Sequence, residues 1–272
     1  MTHKWTMVIG SHRSGTNLLC MSLQNINNLW YTSEALQVFR AEDIKGRFVH
    51  QWRKPMLQEL FGKEEFSYYM KHPEHRAYGM IPGKEPALKL LQKMVLEDRC
   101  GEAPKSNTCV TKVLFQQHPC SFNTWFDIVK LPVNIIYLRR HNLLDIIISA
   151  QLAYRSQEWL VMAKKEITNG KMRINLNPIY VLEELCFLQH QYDYFDRWTQ
   201  DLSNVLTLDY DELANDWDSQ AAIVTDFMGC SGQMMTKRTK RQISRTQEEV
   251  VDNYAQLREY FSNTKWKDLF KC

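Results

Sequence analysis

The sequence of 272 residues lacks the paired cysteine spacing of a disulfide framework. Its seven cysteines stand singly, with no C-x-x-C and an odd total, a pattern more typical of a reduced, intracellular protein. It also lacks H-E-x-x-H and any clustered Asp, Cys or His spacing that would suggest metal ligands. We therefore expect no disulfide scaffold and no metal in the functional site.

Long apolar runs and a strong net charge are missing as well. Asp145 and Ser149 bracket the apolar run 146–148, and no run approaches the length needed to cross a membrane. The first residues include His3, Lys4 and Trp5 and lack a signal-peptide pattern. The formal charge of +3 does not require a nucleic-acid partner. We expect a cytoplasmic protein without a membrane span and leave open whether it forms a homo-oligomer.

Predicted strands and helices alternate along the chain without repeats or long linkers. This alternation predicts a single α/β domain over residues 1–272, in which helices flank a parallel sheet. The predicted strands are Trp5–Ile9, Leu29–Tyr31, Thr108–Phe115, Val133–Leu138 and Val205–Leu208. The predicted helices are one after the first loop, two over 35–70 with the second starting at Pro55, then Pro86–Arg99, Phe122–Val129, one from Asn142, one after Asn177-Pro178, Gln220–Phe227 and Glu248–Phe261.

The loop after the first strand has the features of an anion site. Residues Gly10 to Thr16 read G-S-H-R-S-G-T, between an apolar strand and a helix with leucines at helical spacing. Such a loop directs backbone N–H groups and a helix dipole at one point, and Arg13 adds a fork of donors. The nucleoside-triphosphate loop requires G-x-x-x-x-G-K-[ST], whereas Thr16 and Asn17 follow Gly15 here.

A second charged turn follows the strand Val133–Leu138. Arg139 and Arg140 fall where the strand ends, which is the edge at which open α/β sheets bind ligands. Asn142, Asp145 and Ser149 follow at three- and four-residue spacing and so share one helical face. A guanidinium and a hydroxyl there would suit a phosphate dianion. The alternative is that both arginines are solvated charges.

The two segments together resemble sulfotransferases that use 3'-phosphoadenosine-5'-phosphosulfate (PAPS). R-S-G-T at Arg13 resembles their 5'-phosphosulfate loop, and R-S-G-T-N-L-L resembles the bacterial carbohydrate enzymes of the trehalose and Nod-factor types. Tyr137, Arg140 and Ser149 match their 3'-phosphate motif, although Ser149 lies nine residues after Arg140 where cytosolic eukaryotic enzymes have eight. Because of that departure, either Arg139 or Arg140 could hold the 3'-phosphate, and we favour Arg140. Residues 205–213 and 227–229 resemble a further segment of the family.

The resemblance implies a P-loop-like fold, which is a three-layer sandwich. It also implies an enzyme that transfers a sulfuryl group by in-line displacement from PAPS to a hydroxyl of a carbohydrate or glycolipid. Arg13 would be catalytic and would stabilise the sulfuryl oxygens. The implied nucleotide contacts are Ser11, His12, Arg13, Ser14, Gly15, Thr16, Asn17, Arg140 and Ser149. Residues near 35–105 and 150–200 would supply the acceptor pocket and lid.

Glu34 is the first candidate for the base that removes the acceptor's proton. It follows the second predicted strand, where the bacterial carbohydrate enzymes place a glutamate. The alternative is a helix-start carboxylate that accepts bonds from backbone amides. His118 is the second candidate, and it follows the strand that bears Lys112. Lys112 is interpreted either as neutralising the bridging oxygen or as a solvated strand-end charge.

A basic run near the C-terminus has two interpretations. Its members are Lys237, Arg238, Lys240, Arg241 and Arg245. The run is either a solvated face or a segment that folds over the 3'-phosphate. Two other functions also remain open: a P-loop kinase-like nucleotide enzyme, and a non-catalytic nucleotide-binding relative.

Overall fold

The structure is a computed structural model. It describes residues 5–34, 92, 94–96, 108–115, 130–156, 158–159, 172–239 and 245–270. The helices predicted over 35–70 and 122–129 lie outside the described residues, while residues 92 and 94–96 are helical as predicted.

Five parallel strands form one sheet in the order β2-β3-β1-β4-β5. The strands are β1 (Trp5–Gly10), β2 (Leu29–Glu34), β3 (Thr108–Leu114), β4 (Val133–Arg139) and β5 (Val205–Asp209). All five predicted strands are confirmed, and β2 extends three residues further than predicted. Every residue of β1 is buried, as expected for the central strand of a sheet covered on both faces.

Helices cover both faces of the sheet. They are α1 (Thr16–Leu23), α2 (Leu143–Ser156), α3 (Pro178–Thr199), α4 (Tyr210–Asn215), α5 (Trp217–Phe227), α6 (Gln247–Val250) and α7 (Tyr254–Phe261). Alternate residues of β1 enter separate apolar cores: Val8 packs with α1, α4 and α5, while Met7 and Ile9 pack with α2, α3, α6 and α7. The predicted three-layer α/β fold is confirmed. Among the described residues, no helix has the length and apolarity to cross a membrane.

The predicted helix Glu248–Phe261 is wrong in one respect, because it consists of two helices. Val251 leaves the helical conformation (φ −103°, ψ 119°) and pairs in parallel with Ile174. The amide of Ile174 donates to the Val250 carbonyl, and the amide of Asp252 donates to the Ile174 carbonyl. This pairing with a distant segment divides a stretch whose local pattern is helical throughout.

The connections place the loops after β1 and β4 side by side. These strands are neighbours, yet α1 after β1 packs on one face of the sheet and α2 after β4 packs on the other. Neighbouring parallel strands whose helices leave to opposite faces open a crevice at their carboxyl ends, where α/β proteins bind ligands.

Candidate active site

The loop between β1 and α1 is held by its own hydrogen bonds. Arg13 has a left-handed φ of 64°, and Gly15 has a φ of 95°. The Ser14 hydroxyl donates to the Ser11 carbonyl at 2.6 Å, and the Ser11 hydroxyl shares a hydrogen bond of 3.0 Å with Tyr192 on α3. Both serines are buried and stand apart from the cavity described below, as does His12. The side chains of Ser11 and Ser14 therefore hold the loop in shape.

Gly15 lies against the ring of Tyr210, the first residue of α4. A Cβ built on Gly15 would be 2.3 Å from Cδ2 of that ring. The ring also lies 4.6 Å from the Arg140 guanidinium carbon. Tyr210 thus contacts both charged turns that the sequence singled out.

We expect Gly15→Ala to destabilise the protein by about 3 kcal/mol, because positive φ and overlap with Tyr210 both oppose a side chain there. A change of this size lowers Tm by roughly 6–12 °C in a chain of this length. Gly232→Ala is the matched control, since Gly232 has a φ of 80° but no atom of a described residue within 4 Å of its Cβ position. Thermal unfolding of both variants separates the two causes, and equal losses would show that Tyr210 contributes nothing.

A cavity of about 280 Å³ lies at the carboxyl edge of the sheet. The predicted residues that line it are Arg13, Gly15, Thr16, Asn17, Arg140 and Ser149, together with Lys237 and Arg245 of the basic run. Asp145, Trp159, Tyr210 and Gln247 also line it. The cavity therefore brings together both sequence motifs and the C-terminal segment, which are far apart in the chain.

Arg13 lies inside this cavity and bridges the loop to α2. Its Nε donates to Ser149 Oγ at 2.9 Å, and one terminal nitrogen donates to the Trp159 carbonyl at 2.6 Å. Burial and the neighbouring Arg140 charge lower the pKa of Arg13 to about 10. The guanidinium is still protonated at neutral pH, so two like charges face each other at the cavity. An anion between them would relieve this repulsion.

Arg140 is buried beside the loop, with 7% of its surface exposed. Its terminal nitrogens donate to the Arg13 carbonyl at 3.1 Å and to Asp145 Oδ2 at 3.0 Å. Its Nε finds no acceptor among the residues that the structure describes. Arg139 instead pairs with Asp196 at 3.2 Å and is absent from the cavity lining.

The three residues predicted to share one face of α2, which are Asn142, Asp145 and Ser149, have two different roles. Asp145 and Ser149 line the cavity. Asn142 accepts from the Asp145 amide at 3.1 Å and donates to the Leu269 carbonyl at 3.1 Å. Asn142 therefore stabilises the start of α2 and attaches it to the C-terminal segment.

Lys112 is not a solvated charge, so that interpretation is wrong. It is 2% exposed, and its Nζ donates to Asn17 Oδ1 at 2.5 Å. The strand register pairs Tyr31 with Val110 and Glu34 with Lys112, so β2 carries one more residue than β3 between these pairs. This β-bulge sets the position of Glu34 at the carboxyl edge of the sheet. The other candidate base, His118, lies outside the described residues.

The residues of the basic run near the C-terminus lie in different places. Lys237 and Arg245 line the cavity, where they donate to the carbonyls of Ala214 at 3.3 Å and Met172 at 2.5 Å. Arg238 turns away from it and bonds Asn25 after α1. Lys240 and Arg241 lie outside the described residues.

Trp159, Tyr210 and Gln247 are cavity residues that sequence reasoning missed. Tyr210 falls in the segment 205–213, in which we predicted no site residue, and Trp159 falls in the predicted lid region 150–200, in which we singled out no residue. Gln247 carries no signal in the sequence, because a single glutamine on a polar helix start is ordinary.

No protein-family model and no curated protein matches this chain. Solved structures that are similar to it include three sulfotransferases. A sulfotransferase from Alicyclobacillus acidocaldarius is 12% identical over 96% of this chain and 92% of that chain, with a TM-score of 0.49. The sulfotransferase domain of the Synechococcus olefin synthase is 13% identical over 86% and 76%, with a TM-score of 0.42. A Mycobacterium avium sulfotransferase is 11% identical over 97% and 69%, with a TM-score of 0.40. None of these three structures reaches a TM-score of 0.5.

Proposed function

We propose that the protein is a sulfotransferase that moves the sulfuryl group of PAPS to a hydroxyl of a carbohydrate or glycolipid. One observation carries the proposal. Arg13, on the loop after β1, and Arg140, at the end of β4, meet at one cavity beside the N-terminus of α1. Guanidinium groups on two neighbouring turns suit a ligand with two separate phosphate-type groups.

The charges around the cavity fit a polyanion. Among the described residues, four cations line it (Arg13, Arg140, Lys237 and Arg245), together with one carboxylate, Asp145. Arg140 Nε is a buried donor without an acceptor in the described part of the chain, and a phosphate oxygen would satisfy it. In this proposal the 5'-phosphosulfate binds at the loop and α1, and the 3'-phosphate binds Arg140, Ser149 and the basic segment. Helix dipole and loop amides add to the attraction at the first position.

The chemistry then needs charge stabilisation and one proton acceptor. The acceptor oxygen attacks sulfur while the bond between sulfur and the bridging phosphate oxygen breaks, and that oxygen leaves with the electron pair. Arg13 would stabilise the oxygens on which charge develops, releasing Ser149 as it does so. Glu34 would take the hydroxyl proton. The bond from buried Lys112 to Asn17 would hold the end of the loop during the reaction.

The test compares nucleotides by thermal unfolding. The product nucleotide, 3'-phosphoadenosine-5'-phosphate (PAP), is expected to raise Tm by roughly 5–10 °C at a concentration of a hundred times its Kd. Binding to the native state stabilises it by about 2.7 kcal/mol under those conditions. ATP should shift Tm by less than about 2 °C, with or without magnesium, because it lacks a 3'-phosphate for Arg140.

A shift with ATP equal to that with PAP would contradict the proposal and favour the kinase-like alternative. A PAP shift without transfer of labelled sulfate from PAPS to any sugar, glycolipid or alcohol acceptor would favour a non-catalytic nucleotide-binding protein.

A further inference from the structure

We propose that Gln247 is a positioning residue for the phosphate site, acting on Arg140 through Asp145. The inference rests on the proposed function. Gln247 opens the short helix α6, 107 residues after Arg140 in the chain, and it lines the same cavity. Its role would make nucleotide affinity depend on the C-terminal segment 245–253.

The contacts form a continuous chain. Arg140 donates to Asp145 Oδ2 at 3.0 Å, and Gln247 Nε2 donates to Asp145 Oδ1 at 2.8 Å. The two carboxylate oxygens therefore have one of these donors each. Tyr254 in turn donates its hydroxyl to Gln247 Oε1 at 3.2 Å. This chain links the end of β4 to the C-terminal helices.

The second bond to Asp145 matters because Asp145 is the carboxylate that pairs with Arg140. A carboxylate with one bonded oxygen rotates about its side-chain torsion, whereas one bonded at both oxygens keeps its plane. Arg140 is buried beside another guanidinium, so its position depends on the placement of its counter-charge. With Asp145 fixed, Arg140 Nε, for which no described residue supplies an acceptor, is held in one orientation for an anion.

The segment that carries Gln247 is itself tightly attached. A capping box joins Thr246 to Glu249 at the start of α6. Arg173 binds Asp252 at 2.6 Å and the Glu249 carbonyl at 2.9 Å. Asn253 exchanges two hydrogen bonds with the backbone of Leu176. Gln247 therefore projects from a rigid support, as a positioning residue requires.

The experiment measures Kd for PAP and for AMP by calorimetry. Gln247→Ala is expected to weaken PAP about 5- to 20-fold and AMP less than twofold, because only PAP carries the phosphate that meets Arg140. Gln189→Ala is the matched control: on α3, Gln189 Nε2 makes the same bond to an aspartate, Asp193, at 2.5 Å, and this bond is exposed. It should change neither affinity.

A second variant tests the chain itself. Tyr254→Phe removes the hydroxyl bond to Gln247 and should weaken PAP about two- to threefold, with no further effect when added to Gln247→Ala. Equal losses for PAP and AMP, or an unchanged PAP affinity in Gln247→Ala, would overturn the positioning role. If the unaltered protein fails to bind PAP, the proposed function fails instead, so the two failures are distinguishable.

Discussion

Glu34→Gln is expected to lower turnover by about a hundredfold or more, the usual contribution of a positioned base. Glutamine keeps the size and hydrogen-bonding capacity of the side chain but cannot accept the proton. Glu34 ends β2, two strands away from the loop-bearing β1, which is about 10 Å across the sheet. In the proposed function, the acceptor hydroxyl and the sulfuryl group would lie between these two strand ends.

The accompanying measurement is PAP affinity, which should stay within about twofold in Glu34→Gln, because Glu34 would face the acceptor. His118→Asn is the comparison and should leave turnover near normal. If His118→Asn is inactive while Glu34→Gln retains turnover, the base is His118, and the likeness to the carbohydrate enzymes weakens with it.

Arg13 and Arg140 are expected to fail in different ways when each is replaced by alanine. Arg13→Ala should lower kcat about 100- to 1000-fold, because its bonds strengthen as charge develops on the reacting group. Arg140→Ala should mainly weaken PAP binding, about 10- to 100-fold, since the 3'-phosphate takes no part in the reaction and a bond to a charged group contributes about 1.5–3 kcal/mol. Steady-state kinetics with calorimetric Kd values separate the two effects.

Arg139→Ala is the matched control for Arg140→Ala. Arg139 is the adjacent arginine, but it pairs with Asp196 and does not line the cavity. Its removal should change PAP affinity less than about threefold. Loss of affinity in Arg139→Ala with normal affinity in Arg140→Ala would show that the assignment is displaced by one residue.

The two motifs were predictable from the sequence because their signals are local. An apolar run ending in a glycine-containing turn before a leucine-striped helix specifies β1, the loop and α1 within twenty residues. The start of α3 is equally local: Asn177 accepts from the amides of Ile179 and Tyr180, and Pro178 occupies the first turn. No local signal distinguishes Arg139 from Arg140 as the cavity residue, since both stand at the end of the same strand.

The sequence by itself determined the α/β fold, the glycine-containing loop after β1 and the arginine turn after β4, because periodicity and turn residues act over a few positions. Tertiary structure alone decided which side chains meet: Arg13 with Ser149, and Asp145 with Gln247, across separations of 136 and 102 residues. It also decided the burial of Lys112 and the break at Val251. These outcomes depend on strand register and on contacts between distant segments, which a local pattern does not encode.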